Sequence, residues 1–340
     1  MADNLLDKAS ILLTPTAYND GSMLSVKPEN GDGDFQFSRS SAATRVNAQG
    51  LVENVQIISS ELVSNGNFSQ IGTEEVSNGN FSQEGSELVT SWTNKDFASF
   101  ASSGSNITQM VSSGSGNNNY SAVTITSGKI YKLKFTSSQS IPCQIRISAN
   151  TSLTGASVVL SSLLSGTNEV YFTASSNYTY IGFYAPNSFT DTQISNFTLK
   201  EVGQDWAGDD ATLDVSNNTG KVIVTSNAEA GIKTSGVSSF VQGKQYKLTF
   251  DIVNATGGLV SGTIKEYSSS NVVGYWNGVG SYTIYFIYRS SSSQLRWLSS
   301  SNVGDILEID NVSVKEVGQD WTFGTGWSIG DGVAKSIQTS

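Results

Sequence analysis

The sequence predicts an all-β fold, with an N-terminal β-hairpin region followed by tandem antiparallel β-sandwich modules. Three observations predict it. First, apolar and polar residues alternate. Tyr131, Leu133 and Phe135 are interleaved with Lys132 and Lys134, and Tyr246, Leu248 and Phe250 with Lys247 and Thr249. A period of two sends one set toward a core and the other toward water. Second, Ser/Asn/Gly clusters at 113–119, 268–271 and 290–293 punctuate further apolar runs at 170–172, 178–184, 282–288 and 295–298. Strands at roughly 8–12-residue spacing with such turn signals suit a sandwich. Third, a long segment occurs twice.

That duplication sets the module length. "EVGQDW" at Glu201–Trp206 returns at Glu316–Trp321, 115 residues later. "SGKIYKLKF" from Ser127 and "QGKQYKLTF" from Gln242 keep the offset, as do "ISNFTLKEV" from Ile194 and "IDNVSVKEV" from Ile309. Matches at one spacing mean modules copied whole. The boundaries read as a first sandwich over 87–202 and a second over 203–317. Residues 318–340, with Gly324, Gly326, Gly330 and Gly332 around Trp327, Ile329 and Val333, read as the start of a third module or an inter-subunit strand. A stub of that length cannot close a sandwich, so the expectation is a longer chain or pairing with another subunit.

Ahead of the modules lie two other regions. Residues 1–60 are the N-terminal region. Phe35 and Phe37 alternate with polar neighbours, and a turn at Asn47–Gly50 leads into Leu51-Val52. This predicts a small β-hairpin in which Gly50 takes a positive φ. A weak helical turn is expected only near Leu5–Ala9. Residues 61–86 are a connector of short tandem repeats: "VSNGNFSQ" is written twice, and Glu61, Glu74 and Glu87 begin copies thirteen residues apart. An isolated copy has nothing against which to bury Phe68 or Phe81, and another subunit is one source of a partner. A homo-oligomer, a trimer, is therefore expected.

Composition narrows the function. Charged residues are 14% of the chain, against an ordinary figure of roughly 25%, and Ser, Asn, Thr and Gly take their place. The net charge of −10 repels phosphate backbones, so no nucleic-acid partner is expected. Histidine is absent, which removes the commonest general base and metal ligand. Cys143 is the one cysteine, so it has no disulfide partner within the chain. Flanked by Ile141 and Ile145, it reads as a small core residue. The first twenty residues lack a signal-peptide pattern, because Asp3, Asp7 and Lys8 interrupt them. No apolar run approaches the ~18 residues that suggest a membrane span, and no membrane insertion is expected.

Two resemblances sharpen this. "FSRSSAATRVNAQGLVENV" (Phe37–Val55) resembles a segment common near the start of tailed-bacteriophage virion proteins, especially fibre and appendage proteins. It implies virion attachment or assembly. The long modules resemble carbohydrate-binding-module-like jelly rolls. The residues that carry this likeness are Asn78–Phe81, Gly243–Tyr246 and Ile309–Val314. In such modules a closing Asp often helps to hold a structural calcium. Asp310 fits the position, but its copy in the first module is Ser195, so Asp310 is expected to close a turn.

Other candidate sites have plainer readings. Asn30, Asp32 and Asp34 alternate as in a calcium loop, but the sixth and twelfth positions are Phe35 and Ser41 where Gly and Glu are needed. Trp276 beside Tyr275, and Trp297 opposite Gly182 in the aligned copy, read as core or subunit packing, with glycan contact as the alternative. Trp206 and Trp321 recur with the module and read as junction packing. Asp209 and Asp210 are adjacent and point apart, unsuited to glycoside cleavage. A serine triad lacks its base. No catalytic residue, cofactor or metal is expected, and the chain reads as no enzyme.

The expectation is a bacteriophage virion structural protein, assembled in the host cytoplasm. Its N-terminal region would anchor to portal, tail or capsid proteins, and its sandwiches would project as a tail or head fibre, with host-surface glycans as a further contact. The alternatives are a bacterial carbohydrate-binding module protein and a capsid decoration protein.

Overall fold

A computed structural model describes residues 8–336 except 11, 20–21, 28–31, 33–34, 37–42, 47–48, 56–62, 236–239, 268, 293, 323, 325 and 331. Residues 1–64 and 65–340 form two compact units. In the first unit, β1 (Leu12–Asn19), β2 (Ser22–Lys27) and β3 (Phe35–Gln36) form an antiparallel sheet in that order. The β1–β2 register breaks between Leu13 and Tyr18, the stretch that contains Pro15, which has no N–H to donate. Then β4 (Ala43–Val46) and β5 (Val52–Val55) form the expected hairpin, with Val46 opposite Val52 and Gly50 at φ 80°. Of the expected turn at Leu5–Ala9, the described residues show only Lys8 as helical. Phe37 lies outside the described residues.

The second unit begins with β6 (Ile71–Glu74). The first sandwich follows: β7 (Thr93–Asn94), β8 (Ser99–Ser103), β9 (Asn106–Ser112), β10 (Asn119–Ile125), β11 (Ile130–Ser137), β12 (Gln144–Ser148), β13 (Ser157–Leu160), β14 (Gly166–Thr173), β15 (Tyr178–Tyr184) and β16 (Phe189–Val202). One sheet runs β13-β12-β15-β10-β7 and the other β14-β11-β16-β9-β8, all antiparallel. The second sandwich uses β17 (Trp206–Asp209), β18 (Ala211–Asp214), β19 (Gly220–Val224), β20 (Ala228–Thr234), β21 (Gln245–Ala255), β22 (Ser261–Glu266), β23 (Val272–Asn277), β24 (Gly280–Ile287), β25 (Leu295–Ser301) and β26 (Ile306–Val317). Its sheets run β17-β20-β25-β22-β23 and β18-β19-β26-β21-β24. In each sandwich the eight strands from β9 to β16, or from β19 to β26, pair in jelly-roll order. A last hairpin joins β27 (Trp327–Gly330) to β28 (Val333–Ser336).

Period-two alternation positions both cores. Tyr131, Leu133 and Phe135 are at most 1% exposed, as are Tyr246, Leu248 and Phe250. Their outward neighbours Lys132 and Lys134 pair with Glu169 across β14. The aromatic frames of the twins also match. Phe135 meets Phe183 edge-on at 6.2 Å, and Phe250 meets Trp297 edge-on at 5.8 Å. Trp92 lies 5.2 Å from Phe183, and Trp206 lies 5.7 Å from Trp297. Trp297 is thus the counterpart of Phe183, not of Gly182. The 115-residue offset slips by one along β15 and β25, and a one-residue slip in a strand exchanges its faces.

Candidate functional site

The short repeats build the most distinctive local structure in the chain. Each "NGNFSQ" folds into a knot stitched by its own side chains. In the first copy Asn65 and Phe68 sit at φ 52° and 54°, and in the second Asn78 and Phe81 sit at 51° and 53°. Asn tolerates the left-handed region because its amide bonds locally. Here Asn65 Oδ1 accepts from Gln70 N at 2.9 Å and Asn78 Oδ1 from Gln83 N at 2.9 Å. Asn67 and Asn80 cap Ser69 and Ser82 in the same way.

Each knot grips one "EVGQDW" hexapeptide. Asn78 Nδ2 donates to Gln204 O at 3.0 Å, Trp206 Nε1 donates to Asn78 O at 3.0 Å, and the Phe81 and Trp206 rings lie 4.7 Å apart. The other pair repeats it: Asn65 Nδ2 to Gln319 O at 3.1 Å, Trp321 Nε1 to Asn65 O at 3.0 Å, and Phe68 5.0 Å from Trp321. The order is crossed, since the earlier copy holds the later hexapeptide. The partner expected from another subunit therefore comes from the same chain.

The glutamates that begin the second and third copies each hold a closing strand, while Glu61, which begins the first, lies outside the described residues. Glu74 Oε1 accepts from Val314 N at 2.7 Å, Glu74 Oε2 accepts from Ser313 Oγ at 2.6 Å, and Glu75 N donates to Val314 O at 2.8 Å. One sandwich earlier, Glu87 Oε1 accepts from Leu199 N at 2.9 Å and Leu88 N donates to Leu199 O at 3.0 Å. Leu199 and Val314 are 115 residues apart, and Glu74 and Glu87 thirteen. The need is the same in both cases. β19 pairs with β26 only from Ile306 to Ile309. The strand then bulges at Asn311, φ 51°, and β6 takes over at Lys315 and Val317. In the first sandwich β9 pairs along Phe189–Ile194, Asn196 bulges at φ 53°, and the repeat takes over, with Glu84 bridging to Val202. The repeat is thus a head that covers the half of the closing strand its sandwich leaves open. Such cover protects an edge that would otherwise template aggregation.

Small residues make the fit possible. A Cβ at Gly79 would lie 1.9 Å from Val312 O, and Val312 N donates to Gly79 O at 2.9 Å. A Cβ at Gly220 would lie 2.2 Å from Phe81 Cζ. Val76 and Phe81 thereby enter the second core, together with Ile130 and Val202 of the first sandwich. Glu84 then ties the head to the first sandwich through Lys132 at 2.9 Å and Lys200 at 3.0 Å. Both lysines hold its carboxyl below the usual range, while Glu84 raises Lys132. A shallow open cleft of about 460 Å³ runs beside the bulge, lined by Glu74, Asn78, Asn80, Gln83 and Asn311.

The residues singled out from sequence are placed as follows. Trp276 is 2% exposed, with Nε1 donating to Leu259 O at 3.1 Å, and Trp297 is fully buried. Both are core residues, which corrects the glycan-contact alternative for these two rings. Asp209 is engaged by Lys233 at 3.0 Å and Arg296 at 2.5 Å. Asp210 sits at φ 48° in the tight β17–β18 turn. Cys143 is fully buried, and burial pushes its thiol pKa up. Asp310 Oδ1 accepts from Asn311 N at 2.7 Å, closing its own bulge. Burial raises its pKa, with Asp251 and Glu308 adding to the effect. Of Asn30, Asp32 and Asp34 only Asp32 is described, as an exposed turn residue. Among the described residues no group of three His, Cys, Asp or Glu side chains is arranged to hold a metal, and no helix is long and apolar enough to cross a membrane. Sequence reasoning missed the roles of Asn65, Asn78, Glu74 and Glu87. The signal was available, because a duplicated hexapeptide calls for a duplicated partner.

No protein-family model matches the sequence, and no curated protein matches it. Among solved structures the chain is similar to the N-terminal CBM22-1–CBM22-2 tandem domain of Paenibacillus barcinonensis Xyn10C, at 10% identity and TM-score 0.24, over 73% of this chain and 99% of that one. It is also similar to the PBSX exported protein XepA, at 11% identity and TM-score 0.17, over 83% of this chain and 100% of that one. A third is AerE from Microcystis aeruginosa, at 11% identity and TM-score 0.13, over 69% and 100%. The jelly-roll assignment rests on the strand order itself.

Proposed function

We propose that this chain is a structural protein of a bacteriophage virion, a tail or head fibre anchored through its N-terminal region with its sandwiches as the projecting rod. The observation that supports it is the pair of head-to-strand clamps. They fasten successive sandwiches at one register, and Glu84 and Phe81 lie in a single head that touches both. Such a design gives stiffness without disulfides and leaves a Ser/Asn/Thr surface for weak, multivalent contact with host glycans. The setting comes from the resemblance of Phe37–Val55 to phage virion segments. Assembly in the host cytoplasm and a trimeric state belong to the same proposal. The trimer rests on the fibre setting alone, because Trp206 and Trp321 supply the ring partners within the chain. Labelling intact virions with antibodies to residues 1–60 and to the sandwiches tests the proposal. The two labels should separate, proximal and distal, on one appendage. Label spread over the capsid would mean a decoration protein, and no label at all would overturn the virion reading. Sedimentation showing a stable folded monomer at micromolar concentration would remove the trimer.

A second reading, a bacterial carbohydrate-binding protein, is favoured by one observation. Tyr275 on β23, an edge strand, is 67% exposed and open to stack on a sugar ring. Calorimetry of the full chain against glycan panels, with Tyr275→Ala as control, separates the readings. Micromolar-to-millimolar binding lost in the variant favours the second.

A further inference from the structure

Among the described residues the two sandwiches end in eight edge strands, two to each sheet. An open edge carries a row of unpaired N–H and C=O groups, and proteins blunt it with short length, charge or a bulge. Seven of the eight are blunted. β7 has two residues, and β17 and β18 have four each and end in Asp209 and Asp214. β13 has four residues, β8 five and β23 six, and each breaks register with its partner. β14 has eight residues in one register, but it carries Glu169, which pairs with Lys132 and Lys134.

β24 has none of these devices. Its eight residues, GSYTIYFI, carry no charge, and they hold one register with β21 from Gln245 to Ile252. The twin strand shows what is missing. Lys134 faces Glu169 across β11 and β14, and at the same rung of the second sandwich Thr249 faces Thr283. Thr283 is exposed, and Val279 just before the strand is 66% exposed. The edge is also held in place. Tyr282 Oη donates to Gly278 O at 2.8 Å and accepts from Asn277 N at 3.1 Å, which fixes the turn into the strand. Ile284 packs over Gly274 of β23, where a Cβ would lie 2.4 Å from Ile284 Cδ1. The hairpin β27–β28 reaches the Tyr285 ring but forms a sheet of its own. Among the described residues no strand pairs with the outer side of β24.

We propose that β24 pairs with β24 of a second copy of this chain, antiparallel about a two-fold axis at Thr283, so that one sheet runs through both chains. A second copy is the occupant because the edge complements itself. Antiparallel strands centred on a residue keep inward side chains facing inward in both copies. Thr283 then meets Thr283, a favourable cross-strand pair, and Tyr282 meets Ile284. In the neighbouring β21, Asp251 stands at the rung of Ser281 and Lys247 at that of Tyr285. The two-fold lines up Asp251 of each copy with Lys247 of the other, so these rows carry opposite signs. A charged strand from another protein would find no counter-charge along β24. The pairing is a side-by-side contact between chains and is independent of the trimer.

The test uses the full chain. Thr283→Cys, oxidised with copper phenanthroline, should give a disulfide-linked dimer, because the two positions meet across the axis within disulfide reach. Val303→Cys, at an exposed site on the β25–β26 turn, should not, and the native Cys143 is fully buried. Sedimentation of the parent should show a concentration-dependent doubling of mass. Thr283→Glu, which returns a charge to this rung, should weaken the pairing about tenfold or more, with the melting temperature of the dilute chain unchanged. Thr283→Lys should do the same and replaces the glutamate variant if that one melts early. Absence of the Thr283→Cys dimer, or equal cross-linking at Val303→Cys, overturns the proposal. So does a mass that never doubles up to millimolar concentration, or a doubling indifferent to both charges.

Discussion

Residues 65–70 and 78–83 spell the same "NGNFSQ", yet Phe81 is 2% exposed and Phe68 only half-buried. Their backbones match to within 1° of φ at the two left-handed positions, and their internal hydrogen bonds correspond one for one. Local sequence thus sets the knot, whereas burial is set by what the knot meets. Phe81 enters a finished core between Trp206 and Gly220, while Phe68 rests on Trp321 with no such core around it.

The largest break in that comparison should come from truncating the ring. Phe81→Ala removes a sealed aromatic from the second core and should cost about 3–5 kcal/mol. Phe68→Ala removes a half-covered one and should cost about 1 kcal/mol. Urea unfolding with tryptophan fluorescence reads both. Equal losses would mean that both knots are held by their hydrogen bonds and that ring burial contributes little.

Glycine substitutions sharpen the point by filling the space instead of emptying it. Gly220→Ala sets a methyl against the Phe81 ring and should cost about 1–3 kcal/mol. Combining it with Phe81→Leu should cost less than the sum of the two, because the smaller side chain yields the space. Additive losses would show that Gly220 is needed for its backbone and not for the ring.

How much of this was legible in the sequence follows the same division. The strands around Tyr131–Phe135 and Tyr246–Phe250 were readable because alternation is a local signal with a fixed period. The 115-residue twins were readable because identity survives duplication. The structure shows that the faces of β15 and β25 follow packing, so Trp297 answers to Phe183 after a one-residue slip that no offset count detects. The clamps were half legible. The two copies and the two hexapeptides were each visible, but their crossed pairing is a contact between residues 254 apart in sequence, as from Asn65 to Gln319. A local pattern carries no information about that distance. β1 and β2 were missed because Pro15 and scattered polar residues blur their alternation.

Breaking the carboxylate grip should cost less than losing the ring. Glu74→Ala leaves Val314 N and Ser313 Oγ without their acceptor at a partly buried edge, which should cost about 1–2 kcal/mol. Glu74→Gln keeps an acceptor and should recover about half of it. Hydrogen exchange at Val314 should rise in the Ala variant and stay slow at Leu199, where Glu87 is untouched. Parallel loss at both amides would mean that the two grips are one cooperative unit.

The smallest effect belongs to the ionic tie between the second head and the first sandwich. Lys132 and Lys200 hold the Glu84 carboxyl below its ordinary value of 4.5, so the folded state binds the proton less readily than the unfolded chain. The stabilisation is therefore fully present above pH 4.5 and is lost as pH falls through the depressed folded value. At the alkaline end Lys132 is raised above 10.5, and its share is lost only above that. The Glu84 side chain is 36% exposed, and solvent screens the pair. The tie should be worth less than about 1 kcal/mol and should shrink with added salt. Comparing Glu84→Gln with the parent from pH 6 down to about pH 2 isolates it. The variant should melt slightly lower at pH 6, and the gap should begin to narrow below pH 4.5 and keep closing as the acid limit is approached. A gap that stays constant over that whole range would mean that Glu84 acts through its hydrogen-bond geometry and not through its charge.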